Sequence, residues 1–451
     1  MSEIKVLVIG AGLAGCEASY FLAENGVKVV LAESKRVKKN PAQKINDFAE
    51  LVCTNSLKSK NIHSAHGLLK SEMSSLNSLI LKAGEETAVP AGDALAVDRD
   101  EFSSLVTQKI ENHKNIQLID LDVCDPIATQ KEYSCDYTIV ATGPLTNNGL
   151  SDWIQKFISK DDFYFYDAIA PVVDADSLDY SKLYFKDRHK EPSESADYLN
   201  APMNEEQYYQ FIEALVDAQK VQPKDFEEYK FFEACLPIDL MAERGKDTPR
   251  FSCMKPIGLE DTMGERPFAV VQLRKENLLG SAYNMVGFQT RLKYPEQKRV
   301  FSMIPGFENA QFIHLGSVHR NSFLNAKKLL NWDLSAKEYP NLYFAGQMTG
   351  VEGYTESASC GLYVAFNLYK KIKDKEFQKW PVETAIGALI NYIMTCDKPT
   401  PSNINFGLIP SVALTKEQRK NKNRKKIKKE LAANKAISSF KDFLGKEDIR
   451  W

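Results

Sequence analysis

Two cysteines stand in sequence contexts that could support nucleophilic chemistry. Cys53 lies in the run LVCTNSLKS, and Cys235 lies in the run FFEACLP. The thiolate is the reactive form of cysteine, and a helix N-terminus or a nearby cation increases its fraction. We expect Cys53 to precede a helix over residues 56 to 82, capped by Asn55 or Ser56, and Cys235 to lie at a strand end or turn. A lone cysteine is more often a small buried hydrophobe, so the residues alone leave both interpretations open for each thiol.

A glycine run near the start of the chain indicates a dinucleotide site. GAGLAG begins at Gly10, directly after the hydrophobic run IKVLVI and before a helical pattern. In this context Gly10 permits a tight turn, Gly12 lets the backbone approach a pyrophosphate, and Gly15 packs the helix on the strand. Glu33 ends the next predicted strand, where a carboxylate would bind a ribose hydroxyl. We therefore predict that these residues, together with Ala11, bind a dinucleotide.

Two later segments favour FAD over NAD as that dinucleotide. The run ATGP, which contains Gly143, resembles a strand end found in flavoproteins that bind two dinucleotides. The run YFAGQMTGVEGYTES is a strand, a glycine turn and a helix start, and in such proteins this segment brings backbone N–H groups to the flavin ring. Gly346, Gln347, Gly353 and Tyr354 are the residues that we expect to line the cofactor site there.

The pattern of strands predicts an α/β fold interrupted by a second domain. Buried parallel strands occur near the start of the chain and again after residue 341, whereas the middle has runs typical of antiparallel strands. We predict a discontinuous, Rossmann-like FAD-binding domain over residues 1–162 and 321–451. An inserted α+β substrate domain would occupy residues 163–320.

Composition excludes several classes of protein. The chain has 451 residues, 43% of them hydrophobic, and a formal net charge of −2, so no global positive field indicates nucleic-acid binding. Its eight cysteines include no CxxC pair, which argues against a zinc ribbon or a disulfide framework. His63 and His66 have no further ligand nearby, so we predict no metal. The start resembles no signal peptide and no apolar run is long enough to span a membrane, so we expect a cytoplasmic protein.

Local charge is less even than the net charge. Between Lys416 and Lys429, nine residues are Lys or Arg and one is Glu. Such a run is usually a solvated helix, but it can also bind nucleic acid, and Lys425 and Lys426 are its candidates for RNA contact. Arg250 and Lys255, in RFSCMKPIGL, could bind an anion or form surface salt bridges.

At this point the motifs match a known family. The chain resembles the folate- and FAD-dependent tRNA (uracil-5-)-methyltransferases of the TrmFO type over nearly its whole length. The resemblance is carried by runs in the same order, among them VIGAGLAGCEA, CTNSLKS, ALAVDR, ATGPLT, YLNAPM, FEACLP, MKPIGL, VVQLR, NMVGFQT, HRNSF and FAGQMTGVEGYTESA. That family is related to the GidA flavoproteins, which share the FAD domain and carry a long C-terminal helical region for which this chain lacks room.

The resemblance implies an enzyme that forms 5-methyluridine in RNA. Methylenetetrahydrofolate would donate the carbon, NAD(P)H would reduce the FAD, and a cysteine thiolate would add to carbon 6 of uracil. By the family pattern Cys235 is the nucleophile and Cys53 the base or partner thiol near the flavin, although the sequence does not decide between the two thiols. The target base must leave its stack, so aromatic residues and cations are expected around it. Arg274, Tyr283, Phe288 and Tyr354 are candidates for that pocket, and Tyr354 is also expected at the cofactor site.

Three departures from the family pattern leave the RNA target open. Ala234 replaces a usual glycine, Asp93 replaces another, and Ser252 with Cys253 replaces Gly-Pro. The target would be the tRNA T-loop, or 23S rRNA as in mollicute-type members. The alternatives are a GidA-like wobble-uridine modification flavoprotein and a non-catalytic RNA-binding flavoprotein. The sequence leaves the oligomeric state, the folate contacts and the choice between NADH and NADPH open.

Overall fold

The computed structural model describes residues 3–40, 42–158, 164–168, 170–193, 196–221, 236–261, 263–276, 280–316, 318–397 and 401–446, with the backbone alone in 164–168, 318–322 and 446. The strands are β1 Lys5–Ile9, β2 Lys28–Glu33, β3 Ser56–Ser59, β4 Ala88–Val89, β5 Ala94–Val97, β6 Ile116–Asp120, β7 Tyr137–Val140, β8 Tyr164–Ala168, β9 Val172–Asp174, β10 Tyr184–Phe185, β11 Tyr198–Met203, β12 Ala269–Lys275, β13 Ala282–Met285, β14 Phe312–His314, β15 Val318–Ser322 and β16 Leu342–Phe344. The helices are α1 Leu13–Glu24, α2 Ala65–Ser75, α3 Leu79–Glu86, α4 Arg99–Glu111, α5 Pro126–Glu132, α6 Asn148–Phe157, α7 Glu205–Asp217, α8 Ile238–Arg244, α9 Thr248–Phe251, α10 Tyr294–Phe301, α11 Ala326–Leu329, α12 Tyr354–Ile372, α13 Ala385–Thr395, α14 Lys416–Lys420 and α15 Arg424–Lys446.

A parallel five-stranded sheet forms the first layer of the molecule. Its strand order is β16-β7-β1-β2-β6, so the last strand of the chain lies beside β7. The central strand β1 has the sequence KVLVI and is buried along nearly its whole length, as expected for a parallel strand covered on both faces. The sheet confirms the predicted α/β class, and the place of β16 shows that the middle of the chain leaves this sheet and returns to it.

A six-stranded sheet in the middle of the chain has a separate hydrophobic core. Its order is β10-β11-β12-β13-β9-β14, and all of its described pairings are antiparallel. The buried apolar residues of this part run from Val173 to Phe307. The core around the parallel sheet draws on residues up to Ile154 and from Leu324 onwards. Two cores of this kind are expected for two domains.

A two-stranded ribbon connects the two sheets. The strands β8 and β15 pair antiparallel, with Val318 opposite Ala168 and Ser322 opposite Tyr164. The chain enters the antiparallel part through β8 and leaves it through β15. Of the two predicted domain boundaries, the one after residue 320 falls inside β15, and the one after residue 162 lies outside the described residues.

The helix predicted over residues 56–82 is wrong in its first part. Ser56–Ser59 is the strand β3, which pairs antiparallel with β5. Leu57 is fully buried in the core, so its side chain fixes this segment as a strand of a small three-stranded sheet. Cys53 therefore does not precede a helix, and the helix N-terminus that was expected to activate it is not there.

The helix α2 begins later than predicted. Ser64 is its cap, because the Ser64 hydroxyl accepts a hydrogen bond from the Gly67 N–H. His63 therefore lies before the helix and His66 inside it, so the two histidines do not share a helix face. Asn77, with a φ of 61°, lies between α2 and α3 and interrupts the helical conformation there.

Candidate active site

A groove follows the carboxyl ends of β2, β1 and β7 and continues to the start of α12. Its larger part is a cavity of about 320 Å³. Its smaller part, of about 80 Å³, shares six lining residues with that cavity. Open α/β sheets bind dinucleotides at the carboxyl ends of their strands, so this groove is the expected place for one. The shared residues are Gly12, Asn40, Gln43, Ala141, Thr142 and Leu145.

The turn between β1 and α1 offers free space and backbone donors to an anion. Gly10 has a φ of 101°, which an L side chain rarely adopts. A Cβ built on Gly12 would meet no atom within 4 Å, whereas one on Gly15 would lie 1.8 Å from the Gly10 carbonyl oxygen. No described side chain caps α1, so the N–H groups of its first turn remain available to a ligand. The turn therefore has the free space and the donors that a pyrophosphate requires.

Glu33 lies at the end of β2, beside this turn. Its carboxylate accepts hydrogen bonds from the Ala11 N–H at 2.6 Å and from the Lys35 N–H at 2.7 Å. The same residue lines the smaller part of the groove. The two backbone donors fix the carboxylate at the position where the sequence predicts a ribose contact.

A second helix begins at the other end of the groove. α12 follows Gly353, whose φ of 114° is in the region that favours glycine, and no described side chain caps this helix either. Gly346, Gln347, Gly353 and Tyr354 line the cavity, as does Gly143 on the opposite wall. Two helix N-termini without side-chain caps thus border one continuous groove.

The hydroxyl of Tyr354 connects this helix to Cys53. It accepts hydrogen bonds from the Cys53 N–H at 2.7 Å and from the Thr54 N–H at 3.1 Å. Burial raises the pKa of Tyr354 well above its ordinary value, so the phenol keeps its proton. Cys53 is half-buried and lies in the wall of the cavity. The structure thus brings the predicted thiol and the predicted cofactor residues into one site.

The strand after Cys53 adds a cation to the same wall. Lys58 lines the cavity and has a φ of 65°, an uncommon conformation for a residue other than glycine. Its ammonium lies 3.3 Å from the fully buried carboxylate of Glu356, and His66 Nδ1 lies 3.2 Å from the same oxygen. Although burial would raise the pKa of Glu356, Lys58 and His66 lower it to about 2. Glu356 is therefore an anion that pairs with Lys58 at the cavity wall and with His66 behind it.

Several other described thiols are held in their protonated form. Burial raises the pKa of Cys253 to about 12 and that of Cys360 to about 11, and it raises the pKa of Cys16 further still. A protonated thiol is a poor nucleophile. These three cysteines are therefore poor candidates for a catalytic thiol.

Two of the aromatic residues predicted to meet the target base lie in a core instead. Phe288 is fully buried and packs against the rings of Phe211 and Phe301, at 6.2 Å and 5.9 Å between centroids. Tyr283 is 3% exposed and belongs to the same core. Both predictions are wrong for this reason. An alternating strand pattern does not tell which face of the strand meets the pocket and which meets the core.

The predicted cations lie in different parts of the molecule, and they differ in exposure. Arg274 is buried and donates hydrogen bonds to Asn55 and Thr54, next to Cys53. The guanidinium of Arg250 donates to the Phe268 carbonyl and stacks over the Phe268 ring at 3.9 Å, so it has internal partners. Lys255, Lys425 and Lys426 are exposed.

Cys235 lies outside the described residues. The described chain resumes at Leu236, which is buried, and the Ile238 N–H donates to the Gln289 carbonyl at 2.8 Å. Gln289 lines the cavity and belongs to the antiparallel part of the molecule. The described flank of Cys235 is therefore attached to a wall of the same cavity.

Sequence analysis missed several residues of the site. Asn55 lies in the loop that carries Cys53, Arg99 donates to the carbonyls of that loop, and the Glu276 carbonyl accepts from Asn55. Lys35, with its side chain 2% exposed, lines the cavity. Asn55 and Arg99 belong to the matching runs CTNSLKS and ALAVDR, which could have drawn attention to them. Glu276 has no comparable signal in the sequence.

Two classes of site find no support in the described part of the chain. No three His, Cys, Asp or Glu side chains of that part are grouped so that they could hold a metal ion. None of its helices combines the length and the apolar character required to cross a bilayer.

Comparison with known proteins defines the class to which this fold belongs. Residues 5–376 match the model of the glucose inhibited division protein A family. The Aquifex aeolicus GidA structure in its form II crystal is 16% identical, with a TM-score of 0.67 over 98% of this chain and 73% of that one. The form I crystal gives 17% identity and a TM-score of 0.66, over 97% and 76%. The fold is thus that of a GidA-like flavoprotein.

Much closer relatives define the family. A protein of Natranaerobius thermophilus is 47% identical over 98% of this chain and 99% of its own length, and one of Exiguobacterium sp. is 46% identical over 98% and 99%. A protein of Streptococcus pneumoniae is 47% identical over 98% and 100%. All three are named methylenetetrahydrofolate–tRNA-(uracil-5-)-methyltransferase TrmFO. This chain belongs to that TrmFO family.

Proposed function

We propose that this protein methylates carbon 5 of a uracil in tRNA, with methylenetetrahydrofolate as carbon donor and NAD(P)H as reductant. The observation that carries the proposal is the position of Cys53 in the wall of a groove bordered by two helix N-termini without side-chain caps. A thiol beside a dinucleotide groove suits chemistry that needs both an acid–base group and a redox cofactor. The names of the relatives specify the donor and the acceptor of the carbon.

The residues present fit FAD. Backbone N–H groups after Gly12 and the open space there suit the pyrophosphate, and Glu33 suits the ribose of the adenosine half. The segment from Gly346 to Tyr354 suits the flavin half. When bound, FAD supplies the redox chemistry between NAD(P)H and the one-carbon unit.

The two thiols would divide the work on the uracil. The Cys235 thiolate adds to carbon 6, which makes carbon 5 nucleophilic towards the methylene carbon. Cys53 accepts the proton that leaves carbon 5, and the bond between the methylene carbon and the tetrahydrofolate nitrogen breaks, so that the nitrogen takes up a proton and tetrahydrofolate leaves. A hydride that NAD(P)H supplies then adds to the methylene carbon as the Cys235–C6 bond breaks, which gives 5-methyluracil and frees the thiolate. Support for this division comes from Cys53 at the cavity and from the described flank of Cys235, which is tied to Gln289.

The exposed cations outside the cavity would bind the RNA backbone. Lys425 and Lys426 open α15, close in sequence to Arg419, Lys420 and Lys422. From the antiparallel part of the molecule the exposed Lys255 would contribute, and Arg250 would join it by exchanging its contacts with Phe268 for a phosphate. We propose tRNA as the substrate. We also propose that the protein acts in the cytoplasm, where tRNA is found.

Transfer of labelled carbon tests the reaction. Purified protein should bind FAD, and with methylenetetrahydrofolate labelled in its methylene carbon and NAD(P)H it should place the label in 5-methyluridine of tRNA. Label transfer from S-adenosylmethionine, or a protein that takes up no FAD, would contradict the proposal. A 23S rRNA transcript assayed in parallel separates the two RNA targets; label confined to rRNA would keep the reaction and correct the substrate.

An RNA with 5-fluorouridine at the target position tests the two thiols. Fluorine cannot leave as a proton would, so the protein–RNA adduct should accumulate. The adduct should be lost in Cys235→Ala and retained in Cys53→Ala, while Cys53→Ala lowers turnover of ordinary RNA at least about a hundredfold, as expected for a general base. Retention in Cys235→Ala together with loss in Cys53→Ala would exchange the two roles.

A further inference from the structure

The loop that carries Cys53 is held by hydrogen bonds to its backbone. We define the thiol loop as residues 51–55. Besides the two N–H groups bound by Tyr354, two of its carbonyl groups accept from Arg99: that of Leu51 at 2.8 Å and that of Cys53 at 3.4 Å. Arg99 is the first residue of α4, and α4 and α12 both belong to the part of the molecule that carries the parallel sheet.

The antiparallel part of the molecule holds the same loop through its side chains. From β12, Arg274 donates to the Thr54 hydroxyl at 2.5 Å and to the Asn55 side-chain oxygen at 2.9 Å. The Asn55 side-chain nitrogen donates to the Lys275 carbonyl at 2.9 Å and to the Val97 carbonyl at 3.1 Å. Asn55 is fully buried, and its amide contacts both the small three-stranded sheet, at Val97, and the six-stranded sheet, at Lys275.

An ion pair joins the two parts directly beside the loop. Arg99 Nη2 donates to Glu276 Oε1 at 3.0 Å, and Arg99 Nε lies 2.6 Å from Glu276 Oε2, so both carboxylate oxygens lie against the guanidinium. The Glu276 side chain is 8% exposed. Burial alone would lower the pKa of Arg99, but Glu276 raises it, so the guanidinium keeps its charge. Because one guanidinium binds both Glu276 and the loop carbonyls, a shift of β12 must move the loop.

We propose that Asn55, Arg99, Arg274 and Glu276 form an interdomain clamp that sets the position of Cys53 according to the position of the antiparallel domain. The effect of the clamp on catalysis rests on the proposed function. When substrate binds to the antiparallel domain, the clamp moves the Cys53 thiol to its working position in the cavity. Its members are positioning residues. An interface with only a structural role would affect folding and every activity together, which distinguishes it from the clamp.

Glu276→Gln tests the clamp, because glutamine keeps the shape of the side chain but removes the charge and turns one acceptor into a donor that faces Arg99. The first readout is alkylation by iodoacetamide, followed for each cysteine by peptide mass spectrometry. We expect Cys53 to react at least about fivefold faster than in wild type, because the loop opens locally. The buried Cys16 and Cys360 should stay protected, and the exposed Cys124 should keep its rate.

The second readout is the kinetics of the reaction. In Glu276→Gln, kcat for methyl transfer should fall about tenfold or more, because a small misplacement of a reacting group is costly. The KM for RNA should change little, and reduction of bound flavin by NAD(P)H, a step that does not use Cys53, should persist. Glu276→Asp, which keeps the charge, should recover part of kcat. The matched control is Glu260→Gln, which removes another carboxylate of the antiparallel domain, one paired with Lys186 and Arg266, and should match wild type.

The outcomes separate the clamp from the proposed function. Unchanged Cys53 alkylation in Glu276→Gln overturns the clamp, and so does reaction of Cys16 and Cys360, which would show that the variant has lost its fold. Wild-type protein that transfers no label to RNA overturns the proposed function, while the alkylation rates still decide about the clamp.

Discussion

At the scale of single residues, the carboxylate of Glu356 connects the cavity wall to the buried interior. It is fully buried and lies next to Lys58 and His66, and its Oε1 also accepts from the Ile404 N–H at 3.3 Å. A buried charge is tolerated only when it is paired and hydrogen-bonded. Loss of the carboxylate would therefore leave Lys58 without its partner at the cavity.

Glu356→Gln should lower stability in a pH-dependent way. The pKa of Glu356 in the folded protein is about 2, below the ordinary value of 4.5, so the carboxylate stabilises the fold above that ordinary value and loses this effect as the pH falls. The free energy of unfolding of the variant should be lower than that of wild type by up to about 3 kcal/mol near neutral pH. Urea unfolding at about pH 7 and about pH 4 should show the difference shrinking in acid.

Glu296→Gln is the control for this prediction. Glu296 pairs with Arg299 at the surface, at 2.6 Å, and its pKa is also lowered, chiefly by that hydrogen bond. Because solvent screens this pair, its removal should change stability little at any pH. A difference for Glu356→Gln that is constant over the pH range would show that the ionised carboxylate does not stabilise the fold.

Local sequence could identify only part of the site at this scale. Gly10, Gly12 and Gly15 are recognisable because strand, turn and helix follow one another in the chain. Tyr354 contacts Cys53 across 301 positions, and Arg274 contacts Thr54 across 220, and no spacing rule predicts such pairs. The first contact arises only when the part with the parallel sheet has folded, and the second only when the antiparallel part packs against it.

At the scale of single elements, α15 combines an anchored end with a basic end. From Ala433 onwards it packs Ala433, Ala436, Phe440 and Phe443 into the core, the last two against Trp380. Its first turn carries exposed cations and no acidic residue. Cations at a helix N-terminus oppose the helix dipole, so this arrangement is unfavourable unless an external anion meets it. RNA phosphates are such anions.

Replacement of Lys425, Lys426, Lys428 and Lys429 by Gln should weaken RNA binding. Each lysine that neutralises a phosphate contributes about one unit to the slope of log affinity against log salt concentration, so the slope should become shallower by several units. The affinity for tRNA at low salt should fall by about tenfold or more. Filter binding or fluorescence anisotropy over a series of salt concentrations measures both quantities.

A variant with the same change in net charge serves as the control. Lys109, Lys114, Lys131 and Lys373 are exposed and lie outside the basic segment. Their replacement by Gln should leave the salt slope close to that of wild type. If both variants lose the same affinity, net charge governs RNA binding and α15 has no special part in it.

The element that sequence analysis misassigned shows what local pattern lacks. Residues 56–59 carry no strong strand signal, and their helical interpretation was reasonable by composition. They form β3 because Ser56 and Ser59 pair with Ala96 and Ala94 in β5. A strand that depends on a partner nearly forty residues away is decided by tertiary contacts and hardly at all by its own propensity.

At the scale of the whole molecule, the two parts, each with its own hydrophobic core, are joined at the thiol loop by hydrogen bonds. The predicted insertion follows from sequence because buried parallel strands occur at both ends of the chain and antiparallel patterns occur between them. The way in which the two parts join could not be predicted, because it depends on the buried polar side chains of Asn55 and Arg274. A buried polar network favours one packing arrangement only when every polar group in it has a hydrogen-bond partner. The sequence does not show which groups have such partners.

Thermal unfolding should show that the two domains are coupled. FAD would bind the domain of the parallel sheet, and a ligand at about one hundred times its Kd stabilises its binding partner by about 2.7 kcal/mol. In wild type the two domains should unfold together in calorimetry, because the Arg99–Glu276 pair and the amide of Asn55 join them. FAD-bound protein should therefore unfold in a single transition at a higher temperature than FAD-depleted protein. In Glu276→Gln the transition should split, and only the part from the parallel-sheet domain should respond to FAD. Glu260→Gln should behave as wild type does, and a single FAD-sensitive transition in Glu276→Gln would show that the domains are coupled elsewhere, for instance through the ribbon of β8 and β15.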